Sequence, residues 1–179
     1  MNIVIHNYLS GSFLLEREPG VWDAIVILDS GISHTDFVAQ HARRHLYLRF
    51  DDVDSDIPGK RTPTAHDIQS ALDFATQSQN LMVCCRAGQS RSAATAFLVC
   101  HERIGVAAAR QLLNPRRHIP NSLVIDLGAR LIDNLLVLQT FAEWQAENKH
   151  IRLSNHLDDI ERDFDELERQ GARNRIVEA

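Results

Sequence analysis

The chain has 179 residues, 44% of them hydrophobic, a formal net charge of -5 and a pI near 6.0. That length suits one domain, or one domain with an appendage, and the apolar fraction is enough for a sizeable core. The acidic balance argues against a general nucleic-acid binder, which carries a basic surplus, and no apolar run approaches the roughly 20 residues of a membrane-spanning helix.

Taken in order, Met1 to His6 lacks the basic stretch and long apolar core of a signal peptide, so none is expected. Ile3 to Ile5 and Phe13-Leu14-Leu15 read as short edge strands separated by a Ser10-Gly11 turn. Trp22 to Leu28 is a strand with a continuous apolar centre, ended by Ser30-Gly31. Ser33 is placed to cap a helix running to about Arg44, with Phe37, Val38 and His41 inward. His45 to Phe50 alternates and reads as a third parallel strand. This rhythm predicts an α/β fold with a mostly parallel sheet flanked by helices on both sides.

Asp51 to Pro63 forms a long loop with carboxylates at Asp51, Asp52, Asp54 and Asp56. One reading is a general acid held over a substrate; the other is a set of solvated loop charges. A calcium loop counted from Asp54 fails, because Pro58 replaces a ligand and Ala65 stands where the closing Glu belongs. Thr64 caps a helix to about Gln77 with Ile68, Ala71, Leu72 and Ala75 on its apolar face.

Leu81 to Cys84 then reads as a buried strand and Ser92 to Cys100 as a buried helix. Between them, Cys85-Arg86-Ala87-Gly88-Gln89-Ser90-Arg91 makes a strand-to-helix turn, where α/β sheets bind ligands. A helix start offers unpaired N–H groups and the positive end of its dipole, and both suit an oxyanion. Successive amides of a loop this long can curl round one tetrahedral anion. Gly88 permits the tight turn, and Arg91 brings a planar fork for two phosphate oxygens. Those amides and that guanidinium favour the thiolate of Cys85, a nucleophile for a bound phosphate monoester. Ser92 can donate to the sulfur and help it leave.

Cys85-x5-Arg91-Ser92, in this strand–loop–helix setting, resembles the signature of the cysteine-dependent protein tyrosine and dual-specificity phosphatases. The form Cys-Arg-Ala-Gly-Gln-Ser-Arg-Ser is especially similar to the dual-specificity branch and to predicted bacterial tyrosine phosphatases. The resemblance implies a general acid on a loop after a strand; Asp51-Asp52 matches it best, which favours Asp52, then Asp51, then Asp54. It implies a phosphate loop of Arg86, Ala87, Gly88, Gln89 and Ser90, and a bracing role for Asn121 in the Pro120-Asn121 segment. The family usually has His before the nucleophile, where this chain has Cys84.

Beyond the signature, Val106 to Leu113 reads as a short helix and Asn114 to Asn121 as a loop. Its Arg116 and Arg117 either add positive potential at the cleft rim or are solvated. Asn121 to Leu138 reads as the last core helix, with Val124, Leu127, Leu131, Leu135 and Leu138 on one stripe, and the resemblance covers Trp22 to Leu138. Residues 139 to 150 continue as helix. Ser154 to Gln170 is amphipathic, with Leu157, Ile160, Phe164 and Leu167 at heptad-like spacing; it packs back on the domain or forms a homo-oligomer or partner helix, and Gly171 ends it. The chain thus divides into a catalytic domain, residues 1 to 138, and a helical extension, residues 139 to 179.

Three cysteines, two of them adjacent, make no disulfide framework and fit a reducing, cytoplasmic setting. Cys84 faces away from the substrate as a buried thiol, or serves as a redox partner for oxidised Cys85; Cys100 is core. The histidines form no ligand constellation, so neither metal nor cofactor is expected. The leading functional reading is a protein phosphatase acting on phosphotyrosine, with phosphoserine and phosphothreonine as further substrates. A phosphate-binding module without turnover, and a phosphatase of phosphoinositides or RNA 5′-phosphates, are the alternatives.

Overall fold

The apolar runs and caps named above build the main elements of the computed structural model, which describes residues 1–35, 40–148, 162, 165–172 and 176–178. In chain order they are β1 (Asn2–Asn7), α1 (Tyr8–Arg17), β2 (Asp23–Leu28), β3 (Ile32–Thr35), β4 (Arg44–Arg49), α2 (Ala65–Ala75), β5 (Asn80–Cys85), α3 (Arg91–Arg103), α4 (Val106–Leu112), α5 (Ser122–Leu131), α6 (Leu136–Glu147) and β6 (Ile176–Glu178). Four strands lie in the order β1-β5-β2-β4 and all run parallel. The inner strands β2 and β5 are buried along their length apart from Asn80, as a parallel sheet covered on both faces requires.

Alternate side chains of a strand point to opposite faces. Leu81, Val83 and Cys85 join Ile68 of α2, Phe97 of α3, Val124 of α5 and Trp144 of α6 in the larger core. Met82 and Cys84 face the other way, against Tyr8 and Leu15 of α1 and Trp22, Ala24 and Val26. Register places Asn7 and Ile27 on either side of Cys85. Three neighbouring strands therefore end at one level, and the loops that follow them meet there.

Three expectations need correction. The segment with Phe13-Leu14-Leu15 is not a strand but lies within α1. Asn7 caps that helix by accepting from Ser10 N–H at 2.7 Å, and Leu15 reaches the core one helical face on from Ser12 and Tyr8. Ser33 does not cap a helix, because residues 32–35 pair antiparallel with β6; Phe37 and Val38 lie outside the described residues. The last stripe is not one helix. It breaks between α5 and α6, where Asp133 takes φ +47° and Asn134 caps the next turn by accepting from Leu136 N–H at 3.0 Å. Leu135, expected in the core, is 77% exposed. Most of the amphipathic segment 154–170 lies outside the described residues; 165–169 is helical and Gly171, at φ +94°, follows its last turn. No described helix is long and apolar enough to cross a membrane.

The capping of α2 is as expected: Thr64 and Asp67 exchange hydrogen bonds in a capping box. The packing of α5 on α3 depends on Gly128, where an added Cβ would lie 2.3 Å from Leu98 Cδ1. Leu98 is fully buried and has little room to retreat. Gly128→Ala is therefore expected to destabilise the protein by about 1–3 kcal/mol, as overpacked cores do, read as a lowered urea midpoint.

At the start of β2, buried Asp23 accepts from Arg43 Nε at 2.8 Å, Arg44 Nη2 at 2.7 Å and Ser78 Oγ at 2.7 Å. Burial alone would push its carboxyl up, but the bonds from Arg44, Arg43 and Ser78 outweigh it and hold the group below its ordinary value. A lowered folded value gives stability that is present above the unfolded carboxyl range, about 3.9, and lost as pH falls through the folded value. Urea midpoints measured against pH should fall on acidification in the native protein, with a shallower fall in Asp23→Asn.

Candidate active site

Cys85 is the last residue of β5 and Ser92 sits in the first turn of α3, so the loop between them starts and ends on rigid elements. Cys85 Sγ lies 3.1 Å from Ser92 Oγ, and both residues are buried. Gly88 takes φ +69°, and a Cβ there would stand 2.5 Å from the backbone nitrogen of Asn7. The turn thus admits only glycine, both for its dihedral and because the end of β1 fills the space.

The loop carbonyls are held from outside. Gln89 C=O accepts from Ile119 N–H at 3.0 Å, and Ser90 C=O from Asn121 N–H at 3.3 Å. In a trans peptide the N–H points opposite to the C=O, so the next amides, of Ser90 and Arg91, are aimed to the inside of the loop. The amides of Ala87 to Ser90 meet no acceptor among the described residues, which leaves them available to an anion.

Arg91 is 3% exposed. Its Nη1 donates to Phe50 C=O at 2.7 Å and pairs with Asp29 Oδ1 at 2.7 Å, while its Nε has no acceptor among the described residues. Burial opposes its charge, but Cys85, Asp29 and Asp52 together outweigh that and push its proton affinity up. The guanidinium is therefore a fixed cation beside the sulfur.

Of the loop carboxylates, Asp51 and Asp52 both face the site, and Asp52 bonds to the Cys85–Arg91 loop. Its Oδ1 accepts from Ser90 Oγ at 2.7 Å and from Asn121 Nδ2 at 2.9 Å. Asp51 is buried and committed elsewhere: Ser30 Oγ donates to it at 2.7 Å and Arg61 N–H at 2.8 Å. Burial pushes the Asp51 carboxyl up, yet those bonds hold it below the ordinary value, so it braces two loops. Asp54 is exposed and accepts from Ser55 Oγ at 3.4 Å. Asn121 caps α5 by accepting from Val124 N–H at 3.0 Å. It holds the acid loop through its side chain and the phosphate loop through its backbone.

These residues surround a cavity of about 350 Å³ lined by Cys85, Arg86, Arg91, Asp52, Asp29 and Lys60, among others. Asp29 and Lys60 were not singled out from the sequence. Asp29 directly follows β2, the strand beside β5, so a polar residue ending a buried strand at the carboxyl edge was the available signal. Lys60 stands within the acid loop, 3.9 Å from Asp51, and only the fold of that loop brings it round.

Cys84 lies on the opposite face of the sheet, fully buried, and burial followed by the nearby Cys85 pushes its thiol up. Nothing in that position offers its sulfur to the cavity. Arg117 acts instead on His6, whose proton affinity falls to about 4, chiefly by burial and then by the Arg117 charge. Neither Arg116 nor Arg117 lines the cavity. Among the described residues no group of His, Cys, Asp and Glu is arranged to hold a metal ion.

No family model matches the chain, and no curated protein matches it. Among solved structures it resembles cysteine-based protein tyrosine and dual-specificity phosphatases. The Yvh1 phosphatase domain from Chaetomium thermophilum matches with a TM-score of 0.46 at 15% identity, over 73% of this chain and 90% of that one. PTPMT1 in complex with PI(5)P gives 0.46 and 15% over 79% and 94%. Human DUSP28 gives 0.43 and 15% over 76% and 94%.

The Asp29–Arg91 pair makes a distinct prediction. Asp29→Ala strands a buried guanidinium, which is expected to lower stability by about 1–3 kcal/mol, less than a fully buried pair because Asp29 is partly exposed. An oxyanion then takes the place of the carboxylate. Thermal scans with and without vanadate should show a larger vanadate-induced rise in Tm in Asp29→Ala than in the native protein. Equal shifts would count against this role.

Proposed function

We propose that the protein is a phosphomonoesterase acting on phosphotyrosine in proteins, with phosphoserine and phosphothreonine as further substrates, through a cysteinyl-phosphate intermediate. The observation that carries this reading is the convergence of Cys85, Arg91 and Asp52 on one cavity. Arg91 and the loop amides hold the non-bridging oxygens. The Cys85 sulfur attacks phosphorus as the ester P–O bond breaks, and Asp52 gives its proton to the leaving oxygen. Water then attacks phosphorus, Asp52 takes the proton, and the P–S bond breaks to release phosphate. Ser92 Oγ, 3.1 Å away, stabilises the departing sulfur.

Three free cysteines fit a cytoplasmic location for such an enzyme. A second reading, a phosphatase of polyanionic esters such as phosphoinositides or RNA 5′-phosphates, draws support from Lys60, which joins Arg86 and Arg91 in the cavity lining. The amphipathic segment 154–170 as a homo-oligomer surface is likewise proposed, on sequence grounds.

Hydrolysis of p-nitrophenyl phosphate by the purified protein tests the chemistry. Cys85→Ser is expected to abolish turnover, and Asp52→Asn to lower kcat by about 10²–10⁴-fold and remove the alkaline decline of the rate. Unimpaired turnover in Cys85→Ser would overturn the mechanism. An unchanged pH profile in Asp52→Asn would overturn the acid assignment.

A further inference from the structure

A second cavity, of about 520 Å³, opens beside the first and shares one wall with it. Asp52, Val53, Gln89 and Ser90 line both. The far side is formed by Ile57 of the acid loop, Ile119 and Pro120 of the loop that braces the phosphate loop, and Gln145 of α6. Ile57 and Ile119 are 46% and 44% exposed, large apolar side chains left open to water in the lining of one groove. Water-exposed apolar groups flanking a polar reaction site are suited to an apolar ligand group.

The two cavities differ in charge. The phosphate cavity sets Lys60, Arg86 and Arg91 against the carboxylates of Asp29, Asp51 and Asp52, whereas the second, among the described residues, is lined by no cation and by the carboxylates of Asp52 and Asp54. A second phosphate or other anion bound there would be repelled by those carboxylates and would meet no cation among the described residues. An uncharged apolar side chain gains by leaving water. We propose that this groove is a subsite for an apolar side chain flanking the phosphotyrosine of a peptide substrate, so that the substrate is a phosphorylated protein segment with an aliphatic residue near the phosphoresidue. The inference rests on the phosphatase reading for the nature of the ligand. Its recognition chemistry is separate, since Ile57, Ile119 and Gln145 take no part in the proposed bond-making. Because Gln145 comes from α6, beyond residue 138 where the sequence resemblance thins, the groove belongs in part to this chain's own extension.

The test uses non-hydrolysable peptides in which phosphonomethyl-phenylalanine replaces phosphotyrosine, in a Gly/Ser background. Leu, Ser, Asp or a second phosphonate residue is placed at each of the two positions on either side, and Kd is read by fluorescence anisotropy on the full-length protein. At one or more positions Leu should bind about tenfold more tightly than Ser, with Asp and the second phosphonate weaker than Ser at that position. In Ile57→Ser, Ile119→Ser and the double variant the Leu-to-Ser ratio should fall towards one. A ratio within one preparation does not depend on how much of it is folded. A flat Leu-to-Ser ratio at every position, a ratio retained in the double variant, or tighter binding of the second phosphonate would each overturn the subsite. Hydrolysis of p-nitrophenyl phosphate is scored apart: its absence would overturn the catalytic reading, and the Kd ratios would still decide the groove.

Discussion

The phosphate loop holds its shape because it is clamped on two sides by backbone. From one side the end of β1 presses on Gly88 so closely that no side chain fits. From the other, the amides of Ile119 and Asn121 hold the carbonyls of Gln89 and Ser90. A ring of inward amides is an unfavourable arrangement in isolation, since the dipoles repel; external partners for the carbonyls and a buried cation nearby make it a standing feature of the fold.

The same few residues tie that loop to the rest of the cleft. Asn121 reaches Asp52 with its side chain and Ser90 with its backbone, and the Ser90 hydroxyl donates to Asp52 as well. Asp52 is therefore positioned by the Cys85–Arg91 loop, and the first turn of α5 holds both. Asp51, one residue earlier, lines the same cavity but keeps the acid loop closed by its bonds to Ser30 and Arg61. Two adjacent carboxylates thus divide the work: one is buried in hydrogen bonds, the other exposed to a ligand.

Much of this was legible in the sequence, for identifiable reasons. Strand β5 and helix α3 announce themselves by continuous apolar runs, and the residues between them occupy consecutive positions, so their meeting needs no long-range pairing. Asp52 and Asn121 were legible only through resemblance, since spacing alone cannot say which loop carboxylate turns inward. Helix α1 was misread because Ser10 and Gly11 are turn formers by local preference; the cap from Asn7 and the fit of Gly11 against Met82 are tertiary facts that override it. The break after α5 was hidden likewise: the leucine stripe keeps its period through Leu135, while Asp133 and Asn134 favour the left-handed turn and the caps that end one helix and begin another. Asp29 and Lys60 reach the cavity through strand order and loop closure, which a linear pattern does not encode.

The pairing of Arg91 with Asp29 bears on how the site lets go of what it binds. The guanidinium is not a vacant cation in water. It already has a carboxylate on the same chain, 2.7 Å away, and the Phe50 carbonyl as well. An incoming oxyanion exchanges one negative partner for another, so the net gain is the difference between two close contacts. The tethered carboxylate is held near at high effective concentration. In the proposed reaction it would work against retention of free phosphate once the P–S bond had broken, so that Asp29 would be an internal competitor favouring product release.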